Sequence, residues 1–218
     1  MQEMELIHLW KAYDKKLDES LQLNRQNATE ITTMKVQTLL HSMKPAKLFA
    51  VIIGICWVAG LGLLLVKLFL NDYETTSLFF LYSLSLQVLI TAVAIVVYIY
   101  QLSLLHNINL DEPVVLTQQK LAKIKASTLW VTRILFLQAP LWTTFYLSGR
   151  FFDNIPAGWL IFQCTITLLF TVLALWLFFN IRAENANKKW FRLLFSGNEW
   201  QPLMKAADLL TQVKDYEI

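Results

Sequence analysis

The sequence has few of the residues from which catalytic and metal sites are usually built. It contains only three histidines and two cysteines. The histidines (His8, His41 and His106) match no zinc-ligand spacing. Cys56 and Cys164 lie inside apolar runs, which indicates buried apolar side chains rather than a disulfide framework. No nucleophile-elbow, Walker or dinucleotide-binding motif occurs. We therefore predict no catalytic residue, no metal and no cofactor, and a protein that is not an enzyme.

Charged residues, glycine and proline are also scarce. Charged residues make up 16% of the chain and hydrophobic residues 56%, and the mean hydropathy is +0.46, outside the usual range of soluble domains. The net charge of +3 is too small to indicate nucleic-acid binding. More than about forty mostly polar residues precede the first apolar run, so we expect no cleavable signal peptide. These features predict an integral membrane protein.

Four apolar runs are candidates for membrane-spanning helices, which need about 20 apolar residues each. They cover residues 48–70, 78–101, 129–147 and 158–179. The fold class predicted is therefore an all-α polytopic membrane protein with four transmembrane helices and cytoplasmic helical extensions. The third run contains Pro140, which predicts a kink and a freed backbone carbonyl that needs a partner from a neighbouring helix.

The basic residues are distributed unevenly between the segments that join these runs. Seven precede the first run, three lie between the second and third, and six follow the fourth, whereas the outer loops hold only Arg150. These residues are Lys11, Lys15, Lys16, Arg25, Lys35, Lys44 and Lys47; Lys120, Lys123 and Lys125; and Arg182, Lys188, Lys189, Arg192, Lys205 and Lys214. Basic residues collect on the cytoplasmic side. We predict a multi-pass protein of the cell inner membrane with both termini in the cytoplasm.

The pattern divides the chain into three parts. These are a cytoplasmic amphipathic helix over 1–44, a transmembrane bundle over 45–180 with a cytoplasmic loop at 106–127, and a basic, amphipathic helical tail over 181–218. Pro45 predicts a hinge or break between the first two parts. Asp111 or Glu112 is placed to cap a helix that starts near Pro113. Aromatic residues among basic ones, including Phe191 and Phe195, favour a tail helix that lies in the membrane interface.

The amino-terminal helix has one apolar stripe. Its members are Leu6, Trp10, Tyr13, Leu17 and Leu21, which recur at helical spacing. Aromatic residues of this kind carry binding energy when a partner buries them. The five residues are therefore candidate partner-binding residues, and the partner is a cytosolic protein or a second copy of the chain. The alternative is that the stripe packs on the chain's own segments 113–127 and 201–216.

Polar residues inside the runs allow a different function. Neither Asp nor Glu occurs there, but Gln87, Gln138, Gln163, Ser83, Ser85, Thr91, Thr165, Thr167 and Thr171 do. They could line the path of a small channel or transporter, although such residues more often join helices through hydrogen bonds. Ala50 and Gly54 form a small-xxx-small pair, for which we expect packing within the bundle. A regulatory or scaffolding subunit is the function we favour, with membrane lipid and a protein as its partners.

Three short stretches resemble a known group of proteins. They are Leu9-Trp10-Lys11-Ala12-Tyr13-Asp14-Lys15-Lys16-Leu17, the turn Asn109-Leu110-Asp111-Glu112-Pro113 with Gln119-Lys120-Leu121 after it, and the basic tail. Together they resemble a group of uncharacterised four-span inner-membrane proteins of the Bacteroidota. The resemblance implies four spans and cytoplasmic ends, and it implies no activity.

Overall fold

A computed structural model describes residues 2–108, 114–148, 156–197 and 200–217. Within these residues the protein consists of helices and contains no strand, so the predicted all-α class is confirmed. The helices are α1 (Gln2–Asn71), α2 (Leu78–His106), α3 (Val114–Phe136), α4 (Leu141–Thr144), α5 (Ala157–Asn180), α6 (Lys189–Leu194) and α7 (Trp200–Glu217), with one 3-10 turn at Ala183–Asn185. The predicted capping residues Asp111 and Glu112 lie outside the described residues.

Three of the described helices, α1, α2 and α5, are long and apolar enough to cross a membrane. They contain the first, second and fourth predicted spans. Only 6% of the most apolar window of α1, and 17% of those of α2 and α5, is buried inside the protein. The apolar side chains of these helices therefore face outwards, as expected of helices whose surroundings are lipid.

The hinge predicted at Pro45 is absent, because α1 runs without interruption from Gln2 to Asn71. A proline inside a helix removes one backbone hydrogen bond and costs about 3 kcal/mol. On either side of Pro45, Met43 and Lys47 are both completely buried. The prediction was wrong because packing against the neighbouring helices holds both flanking turns in the helical conformation, which the local proline rule does not consider.

The third apolar run is not one continuous helix. Helix α3 ends at Phe136, a turn with i to i+3 hydrogen bonds follows, and α4 begins after Pro140. The carbonyl of Phe136 accepts a hydrogen bond from the Ala139 N–H at 3.1 Å. The predicted kink is thus a full break, and its freed carbonyl finds a partner within the turn rather than on a neighbouring helix.

One end of the molecule is a compact helical assembly that we call the end bundle. Parts of α1, α2, α3 and α7 form it around a shared apolar core. The core residues are Val36, Leu40, Met43, Leu105, Leu121, Ile124, Leu203, Ala206 and Leu210. Because α7 packs along α1 and α3, the carboxyl-terminal helix closes this bundle.

The tail before α7 forms a second core, which we call the tail cluster. It consists of Leu129, Leu177, Ile181, Phe191, Phe195 and Trp200. The rings of Phe191 and Phe195 are stacked with their centroids 4.3 Å apart. The rings of Phe191 and Phe195 are thus buried against the chain's own helices, and the position of this tail in the membrane interface stays a prediction.

Helices α1 and α2 approach closely at Gly54. A Cβ atom added there would lie 2.9 Å from Cγ1 of Ile95, which supports packing within the bundle as the role of this small residue. We expect Gly54→Leu to lower the free energy of unfolding by about 2 kcal/mol, because overpacking a tight contact forces its neighbours apart. Equilibrium unfolding in mixed detergent micelles measures this loss.

Gly60 is the matched control for Gly54, because it lies in the same helix and an added Cβ would meet no atom within 4 Å. Gly60→Leu makes the same change in helix propensity without the clash. Equal unfolding free energies for Gly54→Leu and Gly60→Leu would contradict the close approach to Ile95.

Candidate functional site

The predicted partner-binding residues lie on a helix that the rest of the chain leaves uncovered. Trp10 and Tyr13 expose 73% and 71% of their surface, and Leu17 and Leu21 expose half or more. The side chain of Leu6 lies outside the described residues. We call the four described residues the exposed stripe. Every described side chain from Ile7 to Ala28 is exposed.

The later part of the same helix behaves differently. Val36, Leu40 and Met43 are buried in the end bundle, where α2, α3 and α7 cover them. Packing on the chain's own helices therefore accounts for the region 36–43. It does not account for the exposed stripe, whose four side chains each expose half or more of their surface.

The uncovered part of α1 projects from the end bundle as a single helix. From Ile7 to Ala28 it has a length of about 30 Å at a rise of 1.5 Å per residue. One ion pair lies along it, between Lys15 and Glu19 at 4.0 Å, and such exposed pairs contribute less than about 1 kcal/mol. Helices in water gain most of their stability from burying an apolar face. The projecting helix thus presents an apolar face of the kind that a partner covers.

A groove continues this surface towards the end bundle. It has a volume of about 620 Å³ and lies between α1 and α7. Its lining residues are Ile31, Met34, Lys35, Thr38, Leu39, Lys205, Asp208 and Leu209. No sequence pattern predicts the groove, because α7 follows α1 by more than a hundred residues and the position of α7 depends on tertiary packing.

A buried polar network joins α1, α2 and α3 where α1 passes from the end bundle into its apolar run. Nζ of Lys47 donates a hydrogen bond to Oε1 of Gln101 at 2.6 Å, and Nε2 of Gln101 donates one to Oγ of Ser127 at 3.0 Å. The same ammonium lies 4.8 Å from the centroid of the Tyr98 ring. Lys47 and Gln101 are both completely buried. The network therefore holds α1 against α2 and α3 at the end of the end bundle that adjoins the apolar run, on the far side of Met43 from the projecting helix.

Sequence reasoning missed this network. In the sequence, Lys47 is one of the seven basic residues that precede the first apolar run, which predicts a solvated flank of the span. Its partner Gln101 is 54 residues away in the chain, and no local pattern relates the two. The one signal of this network in the sequence is Gln101 itself, a polar residue at the end of the second apolar run.

Several polar residues of the apolar runs join helices, and others bond within their own helix. Nε2 of Gln163 donates to the Thr143 carbonyl at 2.6 Å and to Oγ1 of Thr167 at 3.2 Å, and Nε2 of Gln138 donates to Oγ1 of Thr91 at 3.1 Å. Oγ of Ser83 lies 3.1 Å from Oγ1 of Thr144. Ser85, Thr165 and Thr171 bond to carbonyls of their own helices, and Gln87 is buried. Most of these bonds gather around the break between α3 and α4, where they stabilise the irregular segment.

The histidines and cysteines form no cluster. His8, His41 and His106 are all exposed, and within the described part of the chain no three His, Cys, Asp or Glu side chains come together as metal ligands would. Cys56 and Cys164 are exposed as well, so the prediction that they are buried was wrong. An apolar run that crosses lipid turns part of its apolar surface outwards, and apolar surroundings in the sequence therefore do not imply burial.

Comparisons with known proteins identify no relative of this chain. No protein-family model, no curated protein and no solved structure matches it. The resemblance to the Bacteroidota group therefore stays a prediction.

Proposed function

We propose that this chain is a non-enzymatic integral membrane protein that acts as a regulatory or scaffolding subunit. It has four membrane spans and both termini in the cytoplasm of the cell, in its inner membrane. Its projecting helix binds a cytosolic protein through Leu6 and the exposed stripe. The observation that carries the proposal is the exposure of Trp10, Tyr13, Leu17 and Leu21 on a single helix.

The contacts along α2 support the third predicted span, 129–147, which α3 and α4 form and which brings the number of spans to four. At the start of α2, Oγ of Ser77 donates a hydrogen bond to the Leu147 carbonyl at 2.5 Å. At the end of α2, Leu105 packs with Leu121 in the end bundle. The segment from Leu121 to Leu147 therefore runs the full length of α2, in the opposite direction. Because this segment is as long as α2, it crosses the membrane in the direction opposite to α2, and α5 then crosses it once more.

The charge distribution supports the orientation. The end bundle and the tail hold the chain's clustered basic residues, whereas the turn between α1 and α2 holds Asp72 and Glu74 and no basic residue. Basic flanking segments stay in the cytoplasm during insertion. The projecting helix belongs to the basic side, where cytosolic proteins are available to it.

The chemistry of the exposed stripe favours a protein as the partner. Aromatic and leucine side chains at helical spacing are the anchors with which a helix binds an apolar groove or a second helix. Tryptophan and tyrosine are enriched among the residues whose truncation costs most in such interfaces. Lys11, Lys15 and Lys16 alternate with Asp14, Asp18 and Glu19 on the same helix, so the segment lacks the single charge sign expected of a helix that binds anionic lipid.

The test is a pull-down of the tagged full-length protein from native membranes, compared between wild type, Trp10→Ser and Leu23→Ser. Leu23 is the matched control, because it is also exposed and its place in the sequence turns it away from the stripe. We expect Trp10→Ser to weaken binding of the partner about thirtyfold, the effect of losing about 2 kcal/mol at an interface anchor. Leu23→Ser should leave binding unchanged.

Other results would change the proposal. If the captured protein is a second copy of the chain, and energy transfer between labelled copies in nanodiscs is lost in Trp10→Ser, the partner is the chain itself. Equal binding by both variants would contradict docking through the stripe. The alternative, a small channel or transporter, then requires an ion flux in liposomes that changes on Gln138→Leu.

A further inference from the structure

A small cavity lies at the level where α1 passes from the end bundle into its apolar run. Its volume is about 320 Å³. Its walls come from α1, α2, α3 and the tail, and its lining residues are Ala46, Tyr98, Thr128, Thr132, Leu194, Phe195, Gly197 and Trp200. None of these lining residues is acidic. The cavity is therefore aromatic and apolar, with hydroxyl groups on the wall formed by α3.

One of these hydroxyls has no hydrogen-bond partner. Thr128 is 5% exposed, and within the described residues its Oγ1 atom bonds to nothing. The neighbouring Thr132 is different, since its hydroxyl donates to the Thr128 carbonyl at 2.8 Å. A buried polar atom without a partner costs about 1–3 kcal/mol and is rare in folded proteins. The Thr128 hydroxyl is thus an unsatisfied donor that borders this cavity.

Two lysine side chains lie against aromatic rings that line the cavity. Nζ of Lys47 lies 4.8 Å from the centroid of the Tyr98 ring, and Nζ of Lys125 lies 5.8 Å from that of Trp200. Both rings belong to the cavity walls. Neither lysine lines the cavity and Lys47 is completely buried, so the two ammonium groups act on the cavity through its Tyr98 and Trp200 walls. With no carboxylate among the lining residues, this positive charge favours an anion as the ligand.

We propose that this cavity binds the phosphate group of an anionic phospholipid. The Thr128 hydroxyl donates to a phosphate oxygen, and the ammonium groups of Lys47 and Lys125 stabilise its charge. Basic pockets between helices at the cytoplasmic membrane surface bind lipid headgroups in this way. Leu48 and Phe49, next to Ala46 in α1, expose more than half of their surface and offer a path for acyl chains. This lipid site does not depend on the protein partner proposed above.

The test uses the purified full-length protein and native mass spectrometry with phosphatidylglycerol and phosphatidylcholine of the same chain length. We expect saturable binding of phosphatidylglycerol that is about tenfold weaker in Thr128→Val, the loss of one hydrogen bond to a charged group. Lys125→Gln should weaken binding about fivefold. The matched controls are Lys123→Gln, two residues away on α3, and Thr165→Val, whose exposed hydroxyl bonds within α5; both should bind as the wild type does.

Three outcomes would overturn the proposal. The first is equal binding of phosphatidylcholine, and the second is binding that Thr128→Val and Lys125→Gln leave unchanged while their unfolding shows an intact fold. The third concerns soluble glycerol 3-phosphate. If it binds as tightly as the lipid and with the same dependence on Thr128 and Lys125, the cavity takes phosphate compounds from solution and the lipid assignment is wrong.

Discussion

Phe191→Ala is expected to lower the free energy of unfolding by about 3–5 kcal/mol, the range for removing a fully buried phenylalanine. The Phe191 side chain is completely buried. Its ring stacks on Phe195 at 4.3 Å and meets the edge of Trp200 at 5.5 Å between centroids. Replacing it with alanine leaves a void in the tail cluster that neither neighbouring ring can fill without moving. Equilibrium unfolding of the purified protein in mixed micelles measures the loss.

Leu193→Ala is the control for this prediction. Leu193 belongs to the same short helix, α6, and exposes 80% of its surface, so its truncation should change the unfolding free energy by less than about 0.5 kcal/mol. Similar losses in the two variants would mean that the tail cluster does not hold the tail against α3 and α5. Because Phe195 and Trp200 also line the proposed lipid cavity, Phe191→Ala should weaken phosphatidylglycerol binding as well.

The positions of the long helices follow from the sequence because a membrane span depends on composition over a long window. The second and fourth predicted spans, 78–101 and 158–179, lie within α2 and α5 almost from end to end. Each run contains more apolar residues than a soluble helix of the same length, and hydropathy does not depend on which neighbour a residue meets. The exposed stripe could be identified for a similar reason, since helical spacing is a local property.

The errors arise where a local rule competes with tertiary contacts. Pro45 should disfavour a helix, but the packed turns around it outweigh the cost of one lost hydrogen bond. The third run contains enough apolar residues for a span, yet its helix breaks before Pro140 and side chains of neighbouring helices, such as Gln163, complete the hydrogen bonding. Whether a proline bends, breaks or merely interrupts a helix thus depends on partners that are distant in the sequence.

Of the two proposed binding surfaces, the sequence predicts the residues of the exposed stripe but not those of the lipid cavity. The exposed stripe required only the spacing of Trp10, Tyr13 and Leu17, although its exposure required the structure. The lipid cavity required the meeting of α1, α2, α3 and the tail, and its distinguishing atom, Oγ1 of Thr128, lies at the start of an apolar run among many similar residues. A buried hydroxyl without a partner is a property of the fold, which no residue pattern predicts.

The same network connects the two surfaces. Lys47 is bonded to Gln101, lies against the Tyr98 wall of the cavity and belongs to the helix that carries the exposed stripe. The network lies at the end of the end bundle that adjoins the apolar run, whereas the exposed stripe lies beyond the opposite end, so one continuous helix joins the two surfaces.

The second large effect is therefore expected at Gln101. Gln101→Leu removes the amide oxygen that accepts from Lys47 and should lower the free energy of unfolding by about 2–3 kcal/mol, because the buried ammonium loses a charged hydrogen bond. Lys47→Met should cost less, about 1 kcal/mol, since the amide group that remains is neutral and keeps its bond to Ser127. Unfolding in mixed micelles is again the measurement.

The double variant, Lys47→Met with Gln101→Leu, decides whether the two residues act as a pair. Two apolar side chains of similar shape can replace a buried polar pair at little cost, so the double variant should be more stable than Gln101→Leu alone. The coupling free energy from the cycle of four proteins should then be about 1–2 kcal/mol. Losses that simply add would contradict the bond, and α1 would then be held against α2 at this level by apolar contacts, such as those of Met43 and Leu105, alone.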